Sequence, residues 1–265
     1  MASSFFSIPS PLKVISTMKP AFSRTATAVL LALSATAAQA HSLWLETNAQ
    51  GGAELFFGDF DHNLREISPG VLDKIPSPVA RKTGPQGEAA VSLTKGPKSF
   101  AAEKVSIGPG EALLAEERAY PIGERKVGDK TVRSLYMPAA RLVGDLSAQK
   151  PVFTLDIVPS GVKRGDNPEF YVYYKGEPLR RVKVDINTPS GWSQSRNTDS
   201  EGKFNVPLPW SGTYVLQLFH RDEQPGERGN EKYDRATYVT TLTVHQPTGL
   251  PPLPAAPAAR PNSAD

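Results

Sequence analysis

The sequence predicts an all-β protein built from two β-sandwich domains, and two observations support this prediction. Beyond residue 40, short apolar segments alternate with turns rich in glycine, proline, asparagine and aspartate, which is the pattern of short strands. From residue 150 onward, six such segments follow one another at regular spacing, close to the seven strands of a Greek-key sandwich. About 225 residues follow residue 40, a length that suits one long domain or two ordinary ones.

The first predicted domain covers residues 41–145. Its predicted strands, each followed by a turn, are residues 54–58, 89–94, 104–107, 111–115 and 131–136. Between residues 63 and 75, apolar side chains recur at three- and four-residue spacing, and Asp61 could cap a helix there. Because Ser68-Pro69-Gly70 interrupts this pattern, we expect two short helical turns and not one continuous helix.

The second predicted domain covers residues 150–246 and follows a boundary at residues 142–151. Its predicted strands are residues 152–158, 169–174, 182–187, 202–206, 212–220 and 235–244, which suit an immunoglobulin- or transthyretin-like Greek-key sandwich. Two motifs resemble the hairpin signature of transthyretin-like and carboxypeptidase-regulatory-type sandwiches: Thr198-Asp199-x-x-Gly202-x-Phe204 and Pro209-Trp210-x-Gly212-x-Tyr214. Residues 247–265 contain six prolines and no apolar periodicity, which predicts a disordered tail.

The first forty residues have the composition of a secretory signal. They contain three basic residues and no acidic one, and a short apolar run leads to small residues at Ala38 and Ala40. We therefore expect cleavage after Ala40 and export to the periplasm or beyond. Met18 directly precedes Lys19 and is an alternative start of translation. The apolar run is shorter than the ~20 residues of a transmembrane helix, so we expect a protein that does not span the membrane after signal removal.

Composition excludes several classes of function. The chain beyond residue 40 carries 27 basic and 27 acidic residues, so the isoelectric point of about 9.0 describes the precursor and does not indicate nucleic-acid binding. The absence of cysteine excludes disulfides, thiolate metal ligands and a cysteine nucleophile. Phosphate-loop, dinucleotide-binding, Gly-x-Ser-x-Gly and His-Glu-x-x-His motifs are missing from the sequence, and we predict that the protein is not an enzyme.

The first candidate metal ligand is His41. Cleavage after Ala40 would place a free α-amine beside its imidazole, and both groups lose their protons readily near neutral pH. Two nitrogens on one residue suit a borderline divalent ion such as nickel, cobalt, copper or zinc. A structural interpretation stands beside this one, because an exported protein can begin with any residue, and Leu43 and Leu45 have the spacing of a first strand that faces a core.

Further candidate ligands lie in two polar segments. His62 lies among Asp59, Asp61 and Asn63, where a capping turn is the alternative interpretation. His220 opens a polar loop that is too long for a plain hairpin, and loops of that length are often functional. The complete set of candidate metal ligands is His41, His62, His220, Asp59, Asp222 and Glu227, although solvated charge is the ordinary interpretation of the three carboxylates.

Several segments resemble a family of bacterial periplasmic proteins built on a domain of unknown function. They are His41-Ser42-Leu43-Trp44-Leu45-Glu46, Gly58-Asp59, Asn63-Leu64-Arg65-Glu66, Leu72-Asp73-Lys74-Ile75, Ser190-Gly191-Trp192, residues 207–214, His220 with Pro225-Gly226-Glu227, Tyr233-Asp234 and Thr240-Thr241-Leu242-Thr243. The family is associated with nickel and cobalt uptake, and its members act as periplasmic partners of membrane transporters. The resemblance implies a metal role for the matching His41 and His220. Relatives often have a further histidine where this chain has Ala236-Thr237-Tyr238.

Three hypotheses follow. In the first, a non-catalytic periplasmic protein captures nickel or cobalt through His41 and His220, with His62 or a carboxylate completing the shell, and presents the ion to a membrane transporter. In the second, the β-sandwich is an interaction or adaptor module whose histidines have no metal role, since fold does not determine function. In the third, the protein is a copper enzyme with an N-terminal histidine brace, which needs a second histidine facing His41.

Overall fold

The computed structural model describes residues 41–263, and its secondary structure is almost entirely β. Strand accounts for 53% and helix for 2%, so the all-β sandwich prediction is confirmed. The expected signal of residues 1–40, with its cleavage site and the alternative start at Met18, lies outside the described residues. No helix among the described residues has the length and apolar character needed to cross a bilayer.

Twenty strands and one 3-10 helix, Val71–Lys74, make up the regular structure of residues 41–263. The strands are β1 (Ser42–Thr47), β2 (Ala53–Asp59), β3 (Leu64–Arg65), β4 (Val79–Gly84), β5 (Gly87–Val91), β6 (Thr94–Lys95), β7 (Phe100–Ala102), β8 (Ala112–Glu116), β9 (Gly123–Val127), β10 (Lys130–Val143), β11 (Leu155–Arg164), β12 (Asn167–Tyr174), β13 (Glu177–Pro178), β14 (Lys183–Asn187), β15 (Ser193–Asn197), β16 (Lys203–Asn205), β17 (Gly212–Asp222), β18 (Gly226–Arg228), β19 (Glu231–Tyr233) and β20 (Arg235–Gln246).

A nine-stranded sheet forms the centre of the molecule. Its strands follow the order β15-β14-β17-β20-β10-β8-β4-β5, with β9 paired to β10. The two long strands β10 and β20 run parallel, and the other pairs in this sheet are antiparallel. A five-stranded sheet (β1-β2-β7-β6, with β3 on β2) and a four-stranded sheet (β11-β12-β13, with β16 on β12) complete the main layers, and β18 and β19 form a separate hairpin.

The central sheet is covered on both faces, and β8 shows this most clearly. Leu113 and Ala115 belong to a first core shared with the five-stranded sheet, whereas Ala112 and Leu114 belong to a second core shared with the four-stranded sheet. Side chains alternate between the two faces of a strand, so a strand with two buried faces must lie between two layers. The fold is therefore a three-layered β-sandwich with two cores.

The structure corrects the prediction of two helical turns within residues 63–75. The second turn is confirmed as the 3-10 helix, but the first is wrong, because β3 pairs with β2 there. Asn63 adopts a left-handed conformation with φ of 50°, which ends a helical path and turns the chain back along β2. The strand predicted at residues 104–107 is also absent from the described structure, since Lys104, with φ of 59°, lies in a turn.

The tail that composition predicted to be disordered lies against the fold as far as residue 263. Leu250 forms a parallel bridge to Trp210 and donates its N–H to the carbonyl of Pro209 at 2.8 Å. Farther along, the N–H of Ala256 donates to the carbonyl of Pro189 at 2.9 Å. Proline restricts φ before folding, so ordering a proline-rich segment costs less conformational entropy than its lack of apolar periodicity suggests.

The proposed division into domains 41–145 and 150–246 stays a prediction. Both segments contribute strands to the central sheet, in which β10 of the first pairs along nine residues with β20 of the second. Residues 144–154, which include most of the predicted boundary, form the connection between β10 and β11. The two segments thus have one sheet in common.

Candidate metal centre

His41 lies immediately before β1, and its ring is held by Glu66. Its Nε2 is 2.5 Å from Oε1 of Glu66, whose side chain is completely buried. The ring also packs against Phe57 with a centroid distance of 5.3 Å. The Tyr136 hydroxyl donates to the carbonyl oxygen of His41 at 2.5 Å. Both the imidazole and the backbone of His41 are therefore fixed.

Glu66 accepts hydrogen bonds from two residues that are far apart in the sequence. Besides the His41 contact, its Oε1 accepts from Nδ2 of Asn262 at 2.6 Å, and its Oε2 accepts from the Asn262 backbone N–H at 3.1 Å. Nδ2 of Asn262 and Nε2 of His41 lie 3.3 Å apart because both donate to the same oxygen, Oε1 of Glu66. When the His41 ring is neutral, this arrangement keeps its proton on Nε2 and its lone pair on Nδ1.

Aromatic side chains enclose this histidine on the inner side. The rings of Tyr120 and Tyr136 lie 4.8 Å apart, and Tyr120 also contacts Phe57. Burial raises the pKa of Tyr120, and burial together with the neighbouring Tyr120 raises the pKa of Tyr136 well above its usual value. Both phenols therefore stay protonated at neutral pH and form an uncharged wall.

Asp59, Asp61 and His62 form a second polar group at the end of β2. Nδ1 of His62 lies 3.0 Å from Oδ2 of Asp59 and 3.2 Å from Oδ1 of Asp61. Among the described residues, they form a group of three possible metal ligands whose ligand atoms all lie within 4.8 Å of one another. Burial, reinforced by Asp61, raises the pKa of Asp59 to about 7, and the hydrogen bond that the His62 ring donates to Asp59 raises the pKa of His62. The group therefore exchanges protons near neutral pH.

The two polar groups lie at the same end of the five-stranded sheet. The pairing of β1 with β2 begins at Ser42↔Gly58, and the adjacent residues along the two strands are His41 and Asp59. Residues 59–66 form a single turn back along β2, so one connection carries Asp59, His62 and the carboxylate that holds His41. Three of the six predicted ligands, His41, Asp59 and His62, thus come from this end of one sheet.

His220 lies on the opposite face of the central sheet. It is directly across from Tyr238, and its ring packs against Tyr174 with a centroid distance of 4.3 Å; both tyrosines pack against the second core. Tyr136, which contacts His41, faces the first core. The structure therefore does not bring His41 and His220 into one site. Sequence alone could not show this, because it does not reveal which face of the central sheet the N-terminal segment covers.

The remaining predicted ligands have structural partners or are exposed. Asp222 accepts hydrogen bonds from the Tyr174 hydroxyl at 2.5 Å and from Nζ of Lys175 at 2.9 Å, which hold the pKa of its carboxyl well below the usual range. Burial lowers the pKa of His220 and favours its neutral ring. Glu227 is exposed on β18, opposite Lys232. These residues form no group of three possible ligands within the described part of the chain.

Sequence reasoning missed Glu66, Tyr136 and Asn262. Glu66 was part of a segment that carried the family resemblance, but nothing local indicated that its side chain would be buried. Its partners lie 25 and 196 residues away in the sequence. An acidic residue close to apolar Leu64 and Ile67 is a weak signal, because the solvent-facing edge of an ordinary helix or strand has the same pattern.

The match to a known family covers part of the chain. A family described as "Domain of unknown function (DUF4198)" matches residues 139–222. No curated protein matches the sequence at a significant level. The matched segment runs from the second half of β10 to the end of β17, and so includes His220 and Asp222 but neither His41 nor Glu66. Over these residues, the chain is similar to an uncharacterised domain family.

Proposed function

We propose that the protein is an exported, non-catalytic metal-binding protein whose mature N-terminus holds a divalent transition-metal ion. One observation carries the proposal: Nε2 of His41 lies 2.5 Å from the buried carboxylate of Glu66. A metal-binding histidine commonly donates its second ring N–H to a carboxylate, which orients the ring and raises the basicity of the nitrogen that binds the metal. In His41, that nitrogen is Nδ1.

The expected cleavage after Ala40 would add a second ligand on the same residue. The free α-amine and Nδ1 of His41 can close a six-membered chelate ring around one ion. Nitrogen donors of this kind suit nickel, copper, cobalt and zinc. A free amine is essential to this scheme, because an acylated nitrogen in a peptide bond is a far poorer ligand.

The proposed source of further ligands is Asp59 or His62, not His220. Both lie at the same end of the sheet as His41. The pKa of Asp59, raised to about 7 by burial and by Asp61, means that its carboxyl takes up a proton near neutral pH. A divalent cation could replace that proton and relieve the repulsion between the two aspartates.

The identity of the ion and its destination rest on the family resemblance. The resemblance favours nickel or cobalt, a periplasmic location and a membrane transporter as the recipient. The nitrogen and oxygen donors of the site suit nickel, cobalt, copper and zinc alike. The proposal is thus one of capture and delivery.

A thermal melt with four metals tests the proposal. Exported protein that begins at His41, as confirmed by mass, is melted with Ni²⁺, Co²⁺, Cu²⁺ or Zn²⁺. An ion present at a hundred times its dissociation constant adds ~2.7 kcal/mol, which raises the Tm of a chain this size by roughly 5–10 °C. One extra residue before His41 should abolish the shift. Glu66→Gln should weaken binding by about 10–100-fold, because it removes the charge that orients the ring.

Other outcomes would point to other functions. A rise in Tm that persists when one extra residue precedes His41 would indicate that the ion binds at Asp59 and His62 and not at the terminal amine. The absence of a shift with all four metals would contradict the proposal and favour an interaction or adaptor module. Redox turnover that depends on copper would favour the histidine-brace enzyme.

A further inference from the structure

The segment from Leu250 to Asn262, which we name the strap, runs along the surface of the fold from Trp210 to His41. It starts at the bridge between Leu250 and Trp210 and passes Pro189. It then runs beside Asn63, whose Nδ2 donates to the carbonyl of Ala256 at 2.6 Å and whose carbonyl accepts from the Ala259 N–H at 3.1 Å. The strap ends on Glu66 through both the backbone and the side chain of Asn262.

Asn262 supplies most of the hydrogen bonds that Glu66 accepts. Among residues 41–263, two of the three donors to this carboxylate belong to Asn262, and the third is His41. Asn262 itself is exposed, whereas Glu66 is completely buried. Without Asn262, water would reach the carboxylate and replace its donors. A hydrated carboxylate can form hydrogen bonds in several directions and therefore orients a neighbouring ring less strictly.

We propose that the strap is a positioning element for the N-terminal metal site, and that Asn262 is its positioning residue. The docked strap keeps Glu66 dry and directed at Nε2 of His41, which presents Nδ1 and the α-amine to the ion. The undocked strap leaves the ring free to rotate and lets the ion leave. This inference rests on the proposed function.

The strap can open without unfolding the sheets. Its described contacts between residues 256 and 262 are a few hydrogen bonds to Pro189, Asn63 and Glu66, and most of its residues are exposed. Segments with few buried contacts and exposed hydrogen bonds detach at a small fraction of the global unfolding free energy. Opening the strap is thus a route for releasing the ion to a recipient.

The test compares Asn262→Ala with Arg260→Ala in exported, full-length protein that begins at His41. Arg260 is exposed on the same strap and serves as the matched control. Asn262→Ala should weaken Ni²⁺ binding by about 10–100-fold, the usual effect of losing an outer hydrogen-bond partner, and the ion should dissociate correspondingly faster. Arg260→Ala should bind Ni²⁺ like the wild type. Unchanged Ni²⁺ affinity and dissociation in Asn262→Ala would overturn the proposal.

A second measurement does not need the metal. In the metal-free wild type, ¹⁵N chemical shifts of the His41 ring should show the proton on Nε2, and the amides of Ala256, Ala259 and Asn262 should be protected from hydrogen exchange. Asn262→Ala should change the ring shifts and remove the protection at residue 262. Unprotected amides in the wild type, or ring shifts that stay unchanged in Asn262→Ala, would overturn the proposed role of the strap even if Ni²⁺ binds. A wild type that fails to bind any metal would instead overturn the proposed function, and the ring shifts would still decide whether the strap positions His41.

Discussion

On each side of the central sheet, a buried carboxylate is paired with a nitrogen-containing side chain, and the two pairs differ in whether that side chain keeps a lone pair for a ligand. On the second-core face, Asp156 accepts from Nη2 of Arg141 at 2.5 Å and from Nε at 3.2 Å, and also from the backbone N–H groups of Val152 and Phe153. Both side chains are at most 1% exposed. Both oxygens of Asp156 accept hydrogen bonds from the protein, and the Arg141 guanidinium has no lone pair to offer a metal ion, so the pair has a structural role.

On the first-core face, Glu66 is equally buried, but its partner has unused chemistry. A guanidinium is always charged and offers only donors, whereas an imidazole that donates through Nε2 still has Nδ1. Asn262, which completes the shell of Glu66, comes from a detachable segment and not from a core strand. A buried carboxylate therefore points to a metal site when its partner keeps a free lone pair, as His41 does. When the partner has none, as with Arg141, the pair is structural.

The largest expected effect is the loss of stability when the Asp156–Arg141 pair is broken. Asp156→Ala should lower the free energy of unfolding by about 3–5 kcal/mol, because it leaves the Arg141 charge buried without a partner. Urea denaturation measures this loss. Glu201→Ala removes the exposed partner of Lys203 and should cost at most ~1 kcal/mol. Similar losses in the two variants would show that Asp156 does not have the structural role assigned to it.

Asp59 gives an intermediate effect that depends on pH. Burial raises its folded pKa from 3.8 to about 7, so the fold prefers the protonated carboxyl. This contribution to stability is complete below pH 4 and is lost as the pH rises to about 7, and the raised pKa of His62 acts in the same direction above pH 6.5. Asp59→Asn should therefore be more stable than the wild type at pH 8, by on the order of 1–3 kcal/mol, and similar to it near pH 4.

Urea denaturation of metal-free protein at both pH values checks this prediction. Asp166→Asn, in the exposed turn between β11 and β12, is the matched control and should follow the wild type at each pH. If Asp59→Asn were destabilised at pH 8, the carboxylate would be stabilising the fold, and its raised pKa could not be the reason for a cation to bind there.

The smallest expected effect is at His220, on the face opposite His41. His220→Phe should leave Ni²⁺ affinity, measured by calorimetry, unchanged, and should alter the unfolding free energy by less than ~1 kcal/mol, because the phenyl ring can keep the packing on Tyr174. A large loss of Ni²⁺ affinity would restore the site shared by His41 and His220. It would also contradict the separation of the two histidines by the central sheet.

Local sequence patterns predicted where the strands lie better than which strands pair with each other. The alternation at residues 131–136 is part of β10, but the parallel pairing of β10 with β20 joins segments about a hundred residues apart and has no local signal. Pro138 lies within β10, where a missing N–H usually argues against a central strand. Layer order is also non-local, so the sequence indicated sandwiches without showing that they have one sheet in common.

In the candidate site, too, the local features could be predicted from the sequence and the non-local ones could not. The turn that brings Asp59 and His62 together spans four residues, and its composition was visible in the sequence. The role of Glu66 depends on residues at positions 41 and 262, which only the complete fold brings together. The strap was missed because composition predicts whether a segment can form its own core, whereas this one docks on a core formed by others.

The meeting of residue 41 with residue 262 has a consequence for the maturation of the proposed exported protein. In such a protein, His41 would emerge from the export machinery more than two hundred residues ahead of Asn262, and during that interval the strap could not hold Glu66. Glu66 would receive its remaining donors, and the ring its final orientation, only when residue 262 arrives. A product truncated before residue 262 would lack both Asn262 donors to Glu66, and we expect it to bind the metal ion at least about 10–100-fold more weakly.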